Sequence, residues 1–275
     1  MSIINLSINP EEVTTIIRDF IKTYVHNAGC RGVVVGLSGG VDSTVVAVLC
    51  KKALGKKNTY CLFMPDDTTP ENDIKHKNMI VKKFDLQCKE INITSVVNKI
   101  RMLCPKKPDR LTLANIKARA RMLMLFEYAN MTKSLVCGTS NKSEMLIGYF
   151  TKYGDGGVDI QPIGDLYKTQ VCMVAKYLNI PEEIISKPPT AGLWKGQTDE
   201  GEIGIEYKTL DKILCGLEQK LENEEIADIL GIKKSDVERI RSMRIKSQHK
   251  RRSPLIPKIG VRTPGLDWRS PVLNG

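Results

Sequence analysis

Residues 33–44 read Val-Val-Val-Gly-Leu-Ser-Gly-Gly-Val-Asp-Ser-Thr, and this stretch decides the fold. A β-branched run stops at Gly36, two adjacent glycines follow, and an apolar run with helical spacing begins at Val41. A buried strand that turns through Ser38-Gly39-Gly40 into a helix leaves backbone N–H groups free at the positive end of the helix dipole. The stretch therefore predicts a strand, a phosphate-binding loop and a helix.

This glycine loop differs from the two commonest nucleotide-binding loops. A Walker A loop carries a lysine beside its second glycine, whereas Val41 and Asp42 follow Gly40 here, and no Gly-x-Gly-x-x-Gly pattern can be drawn. Asp42 is instead well placed to hold a Mg²⁺ ion that screens phosphate. The string Ser-Gly-Gly-Val-Asp-Ser resembles the pyrophosphate loop of ATP pyrophosphatases, which cleave ATP between the α and β phosphates. An ordinary glycine turn is the alternative interpretation.

Strands alternate with helices along the first two thirds of the chain. The pattern predicts strands at 33–36, 59–64, 88–93 and 134–137 and helices at 11–27, 41–53, 71–83 and 112–130. Such alternation is typical of an α/β fold in which helices flank a doubly wound parallel sheet, with ligands at the carboxyl ends of the strands. Beyond Pro181 we expect helices at 206–220, 223–230 and 235–246. We predict one domain over 1–275, with a core near 30–180 and a mostly helical C-terminal extension near 181–275.

Composition narrows the class of protein. The 275 residues suffice for a full core, and no apolar stretch is long enough to span a bilayer. The N-terminus lacks the pattern of a signal peptide. The 8 cysteines never form Cys-x-x-Cys, and several lie in apolar runs. We therefore expect buried free thiols in a cytoplasmic protein that does not associate with membranes.

The chain is basic, with a formal net charge of +11. Residues 233–258 hold much of the excess, since ten lysines and arginines stand there against Asp236 and Glu238. A nucleic-acid surface, a site for polyanionic small molecules and an ordinary solvated helix face all explain such a stretch.

A second polar cluster lies between apolar anchors at 138–170. Its middle part, 151–157, has three glycines in the four residues around Asp155, so it cannot form regular structure. A loop held close to a ligand and a surface loop of turn residues explain this composition equally well.

Seven motifs occur together in the order seen in NAD⁺ synthetases: the glycine loop, 115–122, 151–157, 168–171, 189–191, 197–200 and 249–251. They span almost the whole chain, which therefore resembles the single-domain, ammonia-dependent form of that family. The resemblance implies an adenine nucleotide alpha hydrolase-like fold. Glutamine-dependent relatives carry a glutaminase domain ahead of this one. Only about thirty residues precede the first strand, too few for such a domain, so we expect none.

The resemblance also implies a reaction. The carboxylate of nicotinic acid adenine dinucleotide (deamido-NAD⁺) would attack the α phosphate of ATP and release pyrophosphate. Ammonia would then attack the acyl adenylate and release NAD⁺ and AMP. Such an enzyme is a ligase that forms a C–N amide bond, with Mg²⁺ as cofactor and ATP as co-substrate. Its partners would be these small molecules and a second copy of the chain, with no nucleic acid.

The family's functional residues carry over to matching positions of this sequence. The catalytic residues implied are Asp42, Lys168 and Asp155, the last as the base that takes a proton from ammonium. The implied Mg²⁺ ligands are Asp42 and Glu144. The implied ATP-binding residues are Gly36, Leu37, Ser38, Gly39, Gly40, Val41, Asp42, Ser43, Thr139, Lys168 and Thr190. The implied deamido-NAD⁺-binding residues are Arg119, Lys152, Asp159, His249 and Lys250.

Other readings of the same residues remain open at this point. The pyrophosphate loop also occurs in tRNA-modifying enzymes, which would use the basic C-terminal stretch to bind RNA. Thiolases of that kind need paired cysteines, and no close pair exists in this sequence. The synthetase half of GMP synthesis and a nucleotide-binding regulator without turnover are further alternatives. Without the motifs, Arg119 and Lys168 would be assigned to solvated helix faces and His249 to a basic tail.

Overall fold

A parallel four-stranded sheet forms the centre of the protein. The computed structural model describes residues 4–190, 192, 194, 196–264 and 267. The strands are β1 (Gly32–Gly36), β2 (Thr59–Phe63), β3 (Gln87–Glu90) and β4 (Ser134–Cys137). Their order in the sheet is β3-β2-β1-β4 and all three pairings are parallel, which confirms the predicted doubly wound α/β fold. Because the chain leaves β1 toward β2 on one side and returns to β4 on the other, a crevice opens where the order reverses.

Twelve α-helices are assigned within the described residues. Those in the first part of the chain are α1 (Pro10–Asn27), α2 (Val41–Leu54), α3 (Glu71–Lys83), α4 (Thr94–Leu103), α5 (Arg110–Thr132), α6 (Lys142–Ile147) and α7 (Lys168–Tyr177). Those that follow are α8 (Glu182–Ile185), α9 (Asp199–Ile203), α10 (Tyr207–Glu218), α11 (Asn223–Leu230) and α12 (Lys234–Lys246).

The sheet is buried on both faces, as the unbroken valine run of β1 predicts. Val33 and Val35 point into a core formed with α1, α2 and α7, whereas Val34 points into a core formed with α4 and α5. All three valines are fully buried. These two layers hold β1 and the glycine loop that follows it in place.

A third apolar core joins the C-terminal helices to the rest of the molecule. Leu210, Ile213 and Leu214 of α10 pack in it with residues of α11 and α12. Ile147 of α6 and Tyr167, directly before α7, belong to the same core. The C-terminal extension therefore packs against α6 and the start of α7.

Most predicted elements are present within two residues of their expected ends. The exception among the strands is β3, predicted to reach Ile93, which ends at Glu90 because its neighbour β2 ends at Phe63. Ile91 and Ile93 still donate backbone hydrogen bonds to the carbonyls of Phe63 and Pro65, both at 2.9 Å, before α4 begins. Helix α4 and the four helices α6 to α9 have no counterpart among the predicted elements.

The cysteine prediction is correct for half of the set. All eight are free thiols; Cys50, Cys61, Cys137 and Cys215 are buried, and the other four are half-buried. No helix in the described ranges is long and apolar enough to cross a membrane.

Candidate active site

The glycine loop is held in shape by hydroxyl groups. The Ser43 hydroxyl accepts the Ser38 backbone N–H at 3.1 Å and donates to the Gly40 carbonyl at 3.1 Å. The Thr44 hydroxyl also donates to the Gly40 carbonyl, at 2.7 Å. Gly40 is the N-cap of α2 and has no side chain to accept the first N–H groups of that helix. The loop therefore presents a helix N-terminus that is suited to an anion.

Gly39 is the position of the loop that demands glycine. Its φ is +81°, and an added Cβ would lie 2.8 Å from the Asp73 carbonyl oxygen. We expect Gly39→Ala to lower the free energy of unfolding by about 2 kcal/mol or more, because strain and overlap act together. Gly40→Ala is the matched control, since its φ is −92° and its Cβ would lie 3.4 Å from the Ser38 hydroxyl. Urea unfolding of both variants checks the difference; equal losses would contradict it.

A cavity of about 650 Å³ opens at the carboxyl ends of β1, β2 and β4. It lies at the crevice that the strand order predicts. Most of the predicted site residues line it together: Gly36, Leu37, Ser38, Gly40, Val41, Asp42, Ser43, Thr139, Glu144, Asp155, Lys168, Thr190 and Lys250.

An ion pair between Lys168 and Asp42 forms the electrostatic centre of the cavity. Lys168 begins α7 and is almost completely buried. Burial alone would lower the pKa of its ammonium, but the nearby Asp42 and Glu144 carboxylates more than offset it, and the pKa is raised. Lys168 therefore stays charged at any physiological pH, next to the N-terminus of α2. Together they place positive charge where a phosphate leaving group would enter.

Asn141 ties the two predicted metal ligands to one another. Its amide donates to Asp42 Oδ1 at 3.2 Å, and its side-chain oxygen accepts the Glu144 backbone N–H at 3.0 Å. Glu144 Oε2 in turn accepts the Asn141 backbone N–H at 3.2 Å, which completes a capping box at the start of α6. The two acids thus come from different helices, α2 and α6, and both carboxylates accept an N–H of Asn141, one from its side chain and one from its backbone.

The setting of Glu144 suits a divalent cation. Burial and the neighbouring Asp42 carboxylate raise its pKa well above the usual range. A cation placed between the two acids would relieve this repulsion, and carboxylate oxygens are what Mg²⁺ takes from proteins. Within the described residues no three His, Cys, Asp or Glu side chains converge on one metal position. Phosphate oxygens and water would therefore have to complete the coordination shell.

The loop around Asp155 packs tightly on α5. Asp155 Oδ1 accepts the Thr151 backbone N–H at 2.9 Å, and the Thr151 hydroxyl donates to Asn115 at 2.7 Å. A Cβ on Gly154 would lie 2.9 Å from the Ala118 side chain, so only glycine fits there. Asp155 is exposed at the cavity wall but set below the surface of the protein, and desolvation raises its pKa. The backbone N–H of Thr151 and the charges of Lys250 and Arg121 oppose the shift without cancelling it.

Comparison with known proteins decides the family. A family model described as NAD synthase matches residues 13–254. The chain belongs to the NAD synthase family. It is a ligase of ATP-dependent NAD⁺ synthesis, as the order of its motifs implied. It is 45% identical over 270 residues to the NH(3)-dependent NAD(+) synthetase of Sulfolobus acidocaldarius, covering 97% of this chain and 96% of that protein.

Solved structures of two synthetases superpose on this chain. The NH3-dependent NAD synthetase of Campylobacter jejuni superposes with a TM-score of 0.78 at 33% identity, and the match covers 92% of this chain and 100% of that one. An NMN synthetase from Francisella tularensis superposes with a TM-score of 0.82 at 31% identity and the same coverage. These matches give no support to the tRNA-modifying alternative.

Four residues that the NAD synthase motifs assign to deamido-NAD⁺ do not line the cavity. Three of them form a hydrogen-bonded strip beside Lys250, which does line it. Arg119 donates to the Lys152 carbonyl at 3.3 Å, and Lys152 Nζ donates to the His249 carbonyl at 2.9 Å. The fourth, Asp159, accepts the backbone N–H of Val136 at 2.7 Å, on β4. Gly39 of the loop is likewise absent from the cavity wall, because its φ turns it toward α3.

A charged cluster between α5 and the loop after β2 was not predicted from the sequence. Asp66 Oδ2 lies 3.2 Å from Lys117 Nζ and 3.1 Å from Arg121 Nη2, and Arg121 Nε donates to the Met64 carbonyl at 3.0 Å. Burial would raise the pKa of Asp66, but Thr68 and the two cations lower it. Arg121 lines the cavity. Spacing offered a signal, since residues 117 and 121 share a helix face that excludes Arg119.

Proposed function

We propose that this chain catalyses the ammonia-dependent amidation of deamido-NAD⁺ to NAD⁺, with AMP and pyrophosphate as the other products. The observation that carries the proposal is that one cavity contains the glycine loop, the Lys168–Asp42 ion pair and the Asp155 loop. A cation-rich phosphate site and an acid with a raised pKa are the two features that adenylation followed by amide formation requires.

In the first step a substrate carboxylate oxygen bonds to the α phosphorus of ATP, and the bond between the α and β phosphates breaks. A carboxylate is a poor acyl donor until its oxygen becomes part of a good leaving group, and the AMP ester supplies one. The departing pyrophosphate gains negative charge. The N–H groups at the start of α2 and the Lys168 ammonium are placed to stabilise that charge.

Mg²⁺ would be held by Asp42 and Glu144, because a divalent cation between the two carboxylates would offset their mutual repulsion. When bound, the ion would neutralise triphosphate charge and orient the phosphates for in-line displacement. Thr139 and Thr190, both at the cavity wall, are proposed as further ATP contacts.

In the second step ammonia attacks the acyl carbon and AMP leaves. Ammonium is the main form in neutral water but only free ammonia has a lone pair to donate, so a base must take one proton. Asp155 is proposed for this role, because a carboxylate of raised pKa is a stronger base than an ordinary aspartate.

We further propose that the strip of Arg119, Lys152 and His249, together with Lys250 and Asp159, holds deamido-NAD⁺. The chain is proposed to act as a cytoplasmic homodimer that uses free ammonia as the nitrogen donor. Exposed apolar side chains on α4 and α5, among them Met102, Leu103 and Leu111, offer a surface for a second copy. Sedimentation would test the dimer.

The test is a product assay with ATP, Mg²⁺ and deamido-NAD⁺, run separately with ammonium and with glutamine. The proposal predicts NAD⁺ and AMP in equal amounts with ammonium and no NAD⁺ with glutamine alone. ADP as the nucleotide product would contradict it. A parallel arm replaces the dinucleotide by its nicotinic acid mononucleotide counterpart, because one solved relative is an NMN synthetase. A higher kcat/KM for the mononucleotide would overturn the dinucleotide assignment.

A further inference from the structure

A completely buried carboxylate lies behind the cavity, outside the residues assigned above. Asp211 is on α10 of the C-terminal extension, between the buried residues Leu210 and Ile213, and is 0% exposed. Its Oδ1 accepts the Ser143 hydroxyl, and its Oδ2 accepts the Thr169 backbone N–H at 2.8 Å. Burying a carboxylate costs free energy unless it is well hydrogen-bonded, so these two contacts indicate the role of the Asp211 side chain.

The contacts cap a catalytic helix from outside. Lys168 and Thr169 are the first two residues of α7, and their N–H groups have no partner within the helix. The preceding residue, Tyr167, makes no side-chain cap, and its hydroxyl donates to Glu218 at 2.7 Å. Instead Asp211 accepts the Thr169 N–H directly, and Ser143 Oγ accepts the Lys168 N–H at 3.0 Å. A carboxylate at a helix N-terminus also interacts favourably with the helix dipole.

The same contacts reach a second residue of the site. Ser143 directly precedes Glu144 on α6, and its hydroxyl is fully buried between Asp211 and the Lys168 backbone. Asp211 thus links the start of α7, which carries Lys168, to the start of α6, which carries Glu144. Asp42 lies on a third helix, α2. The distances among these three functional groups therefore depend on where α10 holds the other two helices.

We propose that Asp211, acting through Ser143, is a positioning residue for the adenylation step. It holds Lys168 and Glu144 at the distance from Asp42 that the departing pyrophosphate requires. This inference rests on the proposed function. It gives the C-terminal extension a part in catalysis, although Asp211 itself does not line the cavity.

The test measures adenylation alone, as deamido-NAD⁺-dependent exchange of labelled pyrophosphate into ATP without ammonia. We expect Asp211→Asn to lower kcat for exchange by between about tenfold and a hundredfold, since small displacements of catalytic groups have effects of this size. The KM for ATP should change much less. Ser143→Ala should act in the same direction, and the double variant should lose less than the product of the two single losses, because the residues share the contact between Ser143 and Asp211.

Ile226→Val is the matched control. Ile226 lies on α11 and is fully buried in the core that α10, α11 and α12 share, so shortening it lowers stability without removing a hydrogen bond at the start of α6 or α7. We expect its kcat for exchange to stay within about twofold of wild type although its Tm falls. A kcat for exchange by Asp211→Asn within twofold of wild type would overturn the inference. Losses of activity that simply parallel the loss of Tm in all variants would also overturn it. If Asp211→Asn does not fold, Ser143→Ala decides by the same criteria. A wild-type protein without exchange would instead overturn the proposed function.

Discussion

Replacing Asp42 by asparagine is expected to lower NAD⁺ formation by about a hundredfold to a thousandfold, the usual cost of removing one preorganised electrostatic contact. The change removes the partner of the Lys168 ammonium and one of the two acids proposed to hold Mg²⁺. Steady-state assays at several Mg²⁺ concentrations check it, and kcat should fall more than the KM for deamido-NAD⁺ rises. A variant with near-normal kcat at saturating Mg²⁺ would contradict the assignment.

A control separates this chemical effect from loss of an ion pair. Lys77 and Glu90 form a part-buried pair at 3.2 Å, on α3 and β3, and neither lines the cavity. Glu90→Gln should lower stability modestly and leave turnover unchanged. Thermal unfolding of both variants shows whether the Asp42 variant is folded at the assay temperature.

Replacing Asp155 by asparagine is expected to lower the rate most at neutral pH, by about a hundredfold or more if the base role is correct. At alkaline pH free ammonia becomes abundant and the loss should shrink. In the wild type the carboxylate is the active form. Because the pKa of Asp155 is raised, acidification should begin to lower the rate at a higher pH than it would with an aspartate of ordinary pKa.

The measurement is kcat/KM for total ammonium across the pH range for both proteins. Asp165→Asn serves as control, because Asp165 is an exposed acid that pairs with Lys142 at 3.0 Å and does not line the cavity. Its profile should match the wild type. A rate deficit of Asp155→Asn that stays constant with pH would remove the base role.

Local sequence was sufficient for the elements that form the phosphate site. Few other structures accommodate the valine run of β1 and the glycines after it. The ends of the strand, the loop and α2 were therefore predicted to within a residue or two. The Asp155 loop was recognisable because its glycines exclude regular structure. Bringing these loops into one cavity needed only the rule that parallel strands meet ligands at their carboxyl ends.

Long-range pairing limited the rest of the site. Asp66 follows β2 and forms ion pairs with Lys117 and Arg121, on a helix about fifty residues later in the chain. A short sequence motif cannot predict contacts between such distant residues. Asp211 is one charge in an amphipathic helix, and only packing of α10 against α6 and α7 makes it a cap. The motif match assigns Asp159 to the dinucleotide, and only the structure shows that its carboxylate also accepts the Val136 backbone N–H on β4.

The origin of the oxygen in AMP tests the central claim most directly. Deamido-NAD⁺ labelled with ¹⁸O in its nicotinate carboxylate is converted with ATP and ammonium, and the products are analysed by mass spectrometry. An acyl adenylate requires one labelled oxygen to pass into the phosphate of AMP, and this is the result we predict. Unlabelled AMP, or label found in inorganic phosphate or pyrophosphate, would contradict adenylation in this cavity.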